Sequence, residues 1–188
     1  MRELDGRLAR GKAMNVSQER LDAFLAKEEI RDVLMRYGRG VDRGDAELLK
    51  SCYHPGAIEE HGSTYAGPAD AYIDAAVPRI HKMGTLAHYI CNIHISLEGE
   101  RAYVESYVLT FARFEKNGTS YDTFTGGRLC DRFERRNGEW KVAHRKMAFD
   151  WNRDVPSQEG WCLGMFKPSD PKMVMGKKGP GDLSYLKF

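Results

Sequence analysis

The stretch LAHYICNIHISLEGERAYVESYVLTFARFEKNGTSYDTFTGGRLCDRFERRNGEWKVAHRKMAFDW, residues 86–151, decides the fold. Apolar and polar residues alternate along it with the period of two expected of strands packed on one face. Three turn signals divide it: Glu98-Gly99-Glu100, Asn117-Gly118 and Asn137-Gly138, the last two being favoured dipeptides of two-residue hairpins. The pattern predicts an antiparallel meander over residues 88–97, 101–115, 120–135 and 140–151. Such strands exceed the usual length, and Gly126-Gly127 in the third permits a bend or bulge. Long bent strands after helices predict an α+β fold, a cone-like curved antiparallel sheet wrapped around N-terminal helices.

Upstream of the meander the period is helical. Ser17 is a good N-cap, followed by an apolar patch of Leu21, Phe24 and Leu25. That patch is out of phase with the stripe Ile30, Val33, Leu34, Tyr37 and Val41, which predicts a kink or break near Lys27. Gly44 terminates the helix, and Asp45 caps a second one carrying Leu48, Leu49 and Cys52. His54-Pro55-Gly56 stops regular structure, and two short strands over 57–60 and 64–66 flank His61-Gly62-Ser63. Pro68 opens a helix holding Tyr72, Ile73, Ala76 and Ile80, weakened near its end by Pro78. The domain plan is a flexible tail at 1–16, one domain at 17–151 and a C-terminal arm at 152–188. The arm lacks periodicity yet holds Trp161, Leu163, Met165, Phe166, Met173, Met175, Tyr185, Leu186 and Phe188, too apolar to float freely.

Composition narrows the function. The 188 residues suffice for one sizeable core, and 41% hydrophobic with 30% charged is an ordinary water-compatible mixture. A formal charge of +2, with acids and bases interspersed, argues against nucleic acid or an acidic membrane surface as partner. No apolar run has the length of a membrane span and the N-terminus lacks a signal-peptide core, so the expected location is the cytoplasm. Cys52, Cys91, Cys130 and Cys162 lie far apart without a CxxC pair, and reduced, mostly buried thiols are expected. The six histidines include no HExxH, and no GxGxxG or GxxxxGK[ST] loop follows a strand, so no metal and no dinucleotide or phosphate cofactor is expected. Asn117-Gly118-Thr119 matches a glycosylation triplet and reads as a turn.

One acid is left over. Asp42 stands in the last turn of the first helix, where the dipole disfavours a carboxylate, at the margin of the buried stripe. Arg39 or Arg43 are ordinary partners for it; the alternative is a carboxylate aimed into a cavity, with Tyr37 on the same face. In the first long strand His88, Ile90, Asn92 and His94 share one face, and Tyr89, Cys91, Ile93 and Ile95 the other. In the last strand Arg145 shares its parity with Met147, Phe149 and Trp151, unusual company for a cation unless it reaches a buried anion or leaving group.

The run Tyr37, four residues, then Asp42-Arg43-Gly44-Asp45 resembles the opening of the SnoaL-like branch of the nuclear-transport-factor-2-like superfamily, whose members include dehydratases and dehydrochlorinases. His88 falls where that family's first long strand carries a histidine that meets the helix-end aspartate. The resemblance spans roughly residues 18–151 and implies the cone-like fold named above. It also implies that a basic residue of the last strands joins the site, with Arg145 the first candidate and Arg128, after the Gly126-Gly127 bend, the second. Tyr53, Asn92, Phe149 and Trp151 complete the expected substrate-binding set.

The chemistry gives the pair a use. Neutral imidazole accepts a proton near neutral pH, and a carboxylate bonded to one ring nitrogen fixes the tautomer and steadies the imidazolium. His88 is the expected base, Asp42 its orienter, and Tyr37 a hydrogen-bond donor to a substrate carbonyl or hydroxyl. The expected activity is a cofactor-independent lyase on a small hydrophobic, aromatic or polycyclic substrate, expelling water, halide or a small carbonyl fragment, with isomerisation also open. The alternatives are a non-catalytic β-type subunit of an aromatic-ring dioxygenase and a ligand-binding module. By resemblance the chain is a homo-oligomer, a trimer before a dimer, and its C-terminal arm covers the pocket mouth or a neighbouring subunit.

Overall fold

The computed structural model describes residues 16–186, so the tail expected over 1–16 lies outside it except for Val16. Helix α1 (Gln18–Arg43) starts at Ser17, whose side chain accepts from the Arg20 N–H. It stops at Gly44, which sits in the left-handed region at φ 64° and so ends the helix without Cβ strain. The helix runs through Lys27 without the expected break, and the out-of-phase Leu21, Phe24 and Leu25 stay exposed on its first turns. Ile30, Val33, Leu34, Tyr37 and Val41 form the buried stripe. Helix α2 (Ala46–Ser51) is capped by Asp45, which accepts from Leu48 N–H at 3.0 Å. After strands β1 (Tyr53–Glu60) and β2 (Ala66–Pro68), helix α3 (Ala69–Lys82) contains Pro78 and buries Ala69, Ile73 and Ile80.

The meander is β3 (Leu86–Glu98), β4 (Arg101–Lys116), β5 (Thr119–Arg136) and β6 (Glu139–Pro156), in a sheet of order β2-β1-β6-β5-β4-β3. Asn117 and Gly118 at φ 52° and 75°, and Asn137 and Gly138 at 53° and 83°, have the doubly left-handed backbone of type I′ hairpins. The sheet is not antiparallel throughout, because β1 joins β6 in parallel. Its inner face packs on α1 through residues such as Val104, Leu129, Phe133 and Val142.

Bulges correct the simple alternation. Register shifts between Cys91 and His94 in β3, where Asn92 has φ 48°. A one-residue slip moves every following side chain to the other face. Leu86 and Ile90 therefore pack inward before the bulge and Ile93 and Ile95 after it, while Tyr89 and Cys91, expected to share a face with Ile95, are exposed. A second shift leaves Asp150 unpaired between Phe149 and Trp151, opposite Gly127 and Gly126. A Cβ on Gly126 would lie 2.3 Å from the Trp151 indole nitrogen, so glycine alone allows that crossing.

Strand β6 continues to Pro156, past the expected boundary at 151. The chain from Ser157 then returns to the end of α1. Asp182 accepts from the Lys177 and Ser184 N–H groups at 2.8 and 2.9 Å and pairs with Arg43 at 3.3 Å. The Tyr185 hydroxyl donates to Asp45 at 2.8 Å, and Arg39 donates to the Ser184 carbonyl at 3.1 Å. The turn at Trp161–Gly164 places Trp161, Cys162 and Leu163 in the left-handed region and leaves Leu163, Met165 and Phe166 exposed. All four cysteines are free, but only Cys52 is buried, which corrects the expectation of mostly buried thiols. Among the described residues no helix is long and apolar enough to cross a membrane.

Candidate active site

The C-terminal turn of α1 lies against the start of β3, and the contact is made by Asp42 and His88. The Asp42 carboxylate accepts from His88 Nδ1 at 2.7 Å through one oxygen and from the His88 backbone N–H at 3.0 Å through the other. Two bonds from one carboxylate fix both the strand start and the ring. With Nδ1 carrying the proton, the neutral ring presents an unprotonated Nε2, and no hydrogen bond among the described residues engages that nitrogen. Both side chains are about 16% exposed, open enough for solvent or substrate to reach.

His88 and Tyr37 help to line a cavity of about 660 Å³, within the usual range for small-molecule sites. Val41, Ile80, Leu86, Val108, Leu129 and Met147 give it an apolar wall. Burial pushes the Tyr37 phenol far above its ordinary pKa, so it keeps its proton. A second cavity of about 620 Å³ lies beside Asp42, between Leu86, Phe111 and the Trp161, Met175 and Lys178 side of the arm. Burial lowers the Lys178 ammonium from its usual value, with Asp42 acting in the opposite sense.

The remaining expected site residues lie elsewhere. Arg145 faces inward but is wholly buried beneath the cavity wall. It donates to both Asp131 oxygens at 2.7 Å and to the Tyr53 hydroxyl at 3.1 Å, and its guanidinium lies 4.0 Å from the Tyr37 ring centre. Tyr53 is buried behind Tyr37, edge to face at 6.4 Å, and does not line the cavity. Arg128 points to the outer face because Leu129 takes the inner one, and it pairs there with Asp150 and Glu105 at 3.1 and 3.3 Å. The Gly126-Gly127 bend does not turn it inward. Asn92 is exposed at the β3 bulge, and Phe149 and Trp151 are more than half exposed at the far end of β6.

Sequence reasoning missed the other end of the cavity. His61, Tyr65 and Tyr72 line it, with His61 stacked on Tyr72 at 4.5 Å. His61 Nε2 is 2.7 Å from Oε1 of Glu59, a wholly buried carboxylate. The signal was available: Glu59 and His61 are two apart on an extended segment and so share a face.

The SnoaL-like domain family matches residues 22–146. No protein of curated function matches the chain. Several solved structures share its fold. A protein assigned as a scytalone dehydratase from Novosphingobium aromaticivorans superposes with a TM-score of 0.63 at 20% identity, covering 72% of this chain and 91% of that one. A type 3 hexachlorocyclohexane dehydrochlorinase from Novosphingobium barchaimii gives 0.63 at 18% identity, covering 72% and 93%. An NTF2-like protein with a cystatin-like fold, also from Novosphingobium aromaticivorans, gives 0.57 at 23% identity, covering 72% and 91%. Identities this low establish a shared architecture, and the match over residues 22–146 establishes more: the chain belongs to the SnoaL-like family.

Proposed function

We propose that this protein is a cofactor-independent lyase acting on a small hydrophobic, aromatic or alicyclic substrate, with His88 as general base. The observation that carries the reading is His88 itself, held through Nδ1 by Asp42 with Nε2 unengaged, on the wall of an apolar cavity. Nε2 takes a proton from a substrate carbon, the C–H electron pair becomes the new double bond, and the leaving group departs. Asp42 keeps the ring in its working tautomer and balances the imidazolium. The Tyr37 phenol donates to a substrate oxygen and so acidifies the neighbouring C–H. Structural relatives whose names denote dehydration and dehydrochlorination support elimination as the reaction class. The test is a panel of aromatic and alicyclic alcohols and halides, followed by the appearance of a conjugated chromophore, before and after chelation and dialysis. Elimination by the chelated wild type and its loss in His88→Ala support the reading; full-rate His88→Ala protein, or activity restored only by an added metal, overturns it.

We further infer that the protein works as a homo-oligomer, a trimer before a dimer, assembled through the outer face of the sheet. Tyr89, Tyr103, Tyr107 and Leu109 are exposed there on neighbouring strands, apolar side chains that a subunit contact would cover. The exposed, free Cys91, Cys130 and Cys162 fit a reducing cytoplasm. Sedimentation velocity should give a single closed oligomer; a monomer at micromolar concentration argues against it. A stable complex only with a second gene product would point to the β-type subunit instead.

A further inference from the structure

The base reading leaves one buried titratable pair without a task. Glu59 is wholly buried, Oε1 contacts His61 Nε2 at 2.7 Å, and Oε2 has no hydrogen-bond partner. A carboxylate buried with an unmet oxygen is costly unless it balances a nearby positive charge. Arg145 stands opposite Glu59 in the β1–β6 register, but its Nε and Nη2 donate to Asp131 and its Nη1 to Tyr53. The group bonded to Glu59 is therefore His61. That ring forms part of the cavity wall, and its Nδ1 makes no hydrogen bond among the described residues.

We propose that Glu59 and His61 are the second proton-transfer pair of this cavity, with His61 in its protonated form delivering a proton to a hydroxyl leaving group. The inference rests on the elimination reading and deepens it: the substrate is a β-hydroxy carbonyl compound on a hydrophobic frame, and the reaction is loss of water. His61 follows β1 and His88 begins β3, and strands β6, β5 and β4 lie between them in the sheet. The two rings thus reach one cavity from different strands of the sheet, each with a ring nitrogen unengaged among the described residues. Other donors are unsuited. The Tyr37 phenol is held far above its ordinary range and that of Tyr72 is pushed up to about 12, both by burial. The Tyr65 hydroxyl donates to the Pro68 carbonyl and the Thr64 hydroxyl to the His61 carbonyl, each at 2.7 Å. Arg113 is committed to Asp122 and Glu159, and Lys82, Arg79 and Glu115 lie on the exposed rim.

The step balances without a co-reactant. His88 Nε2 takes the proton from the carbon next to the carbonyl, and that electron pair becomes the C=C bond. The C–O bond breaks with its pair on oxygen, which takes the proton from His61 Nδ1 and leaves as water. His88 ends protonated and His61 neutral, and exchange with solvent resets both. Glu59 is a positioning residue: it orients the His61 ring through Nε2 and offsets its charge. Chloride leaves as an anion and needs no such proton.

That difference supplies the experiment. The probes are a phenyl-substituted β-hydroxy ketone and its β-chloro counterpart, which yield the same conjugated enone and are followed by its absorbance. In His61→Gln the hydroxy probe should lose on the order of 10²- to 10⁴-fold in kcat/KM, at least ten times the loss on the chloro probe. Glu59→Gln, an isostere that keeps the packing, should show the same leaving-group bias at smaller size, a readout that a purely structural role does not produce. Equal losses on both probes, an unchanged hydroxy rate, or a wild type that eliminates only chloride would overturn the assignment. His88→Ala separates this failure from that of the parent reading, since it should abolish both reactions. A wild type inert to both probes, or active His88→Ala protein, withdraws the elimination reading and this inference with it.

Discussion

Two hydrogen-bonded pairs, Asp42 with His88 and Asp131 with Arg145, differ in what each leaves unspent. His88 borders the cavity and Asp42 holds it, both partly exposed, joined by one side-chain bond and one backbone bond, with a ring nitrogen unengaged. Asp131 and Arg145 lie in the core at zero side-chain exposure, with the fork filled by two carboxylate bonds and its remaining donor given to Tyr53. A site needs groups with capacity left for a substrate, and a core needs groups with none. On that criterion we assign His88 to chemistry, as proposed above, and Arg145 to architecture, although residue type alone suggests both.

The strongest way to break the comparison is a cycle on the first pair. His88→Ala should cost on the order of 10²- to 10⁴-fold in rate, and Asp42→Asn a large part of the same factor through loss of the tautomer. The double variant should be little worse than His88→Ala, because residues acting as one unit are non-additive. Steady-state rates on a turned-over substrate, with circular dichroism to confirm folding, decide it. Strictly multiplicative losses would show that the two act separately.

The same treatment of the second pair should move stability instead. Arg145→Met leaves Asp131 buried and unpaired, and breaking one side of a buried pair costs about 3–5 kcal/mol. Arg145→Met with Asp131→Leu removes the charge from both sides and should regain much of that loss, as apolar replacements of buried pairs often do. Urea melts measure both. If the folded Arg145→Met protein instead lost rate with an unchanged midpoint, Arg145 would reach the substrate after all.

A smaller effect is expected at the arm. The Lys177 N–H, then the Ser184 hydroxyl and N–H, hold the Asp182 carboxyl far below the usual carboxylate range, with Arg43 adding to them. A depressed folded pKa gives stability that is full above the ordinary carboxylate value, about 4, and lost only as pH falls from there toward the folded value. The wild-type arm should therefore stay docked from neutral pH down to about 5, within that stable range. Asp182→Asn should loosen it already at neutral pH, seen as faster hydrogen exchange at the Lys177 and Ser184 amides. If the arm covers the pocket mouth, one of the two places the family resemblance implies for it, the rate should change a few-fold with it.

How much of this was legible in the sequence follows from where local rules hold. The two Asn-Gly turns, the Gly44 stop, the Asp45 cap and the meander rest on backbone chemistry within a few residues, and they stand as read. The Asp42 and His88 contact crosses 46 positions, and family resemblance rather than periodicity brought the two together. Faces failed where a bulge intervenes. Alternation carried through Asn92 and Asp150 as if the strands were regular, which misplaced Asn92 and Trp151, whereas Arg145, with no bulge between it and Met147, was correctly turned inward. Phe149 precedes the second bulge and keeps that parity, yet it lies more than half exposed. What parity could not show was that Asp131 and Tyr53 would use up its donors. Glu59 and His61 were passed over because His61 reads as part of the turn that follows Glu59's short strand, although their spacing already put them on one face.

The smallest expected effect belongs to Arg128, which completes the comparison from the outer surface. It too is an arginine paired with acids, here the two carboxylates of Asp150 and Glu105, and those bonds hold its guanidinium above the ordinary arginine range. Unlike Arg145 it faces water, which screens the attraction and solvates either partner when the other is removed. Arg128→Ala should therefore leave the melting midpoint almost unmoved and the rate at high protein concentration at the wild-type value. The variant also tests the outer face as a subunit contact. If that face joins copies of the chain, the rate should hold when concentrated and fall on dilution, in step with dissociation seen by sedimentation. A loss equal at every concentration would mean that Arg128 reaches the substrate, and the line drawn here between spent and unspent charges would have to be redrawn.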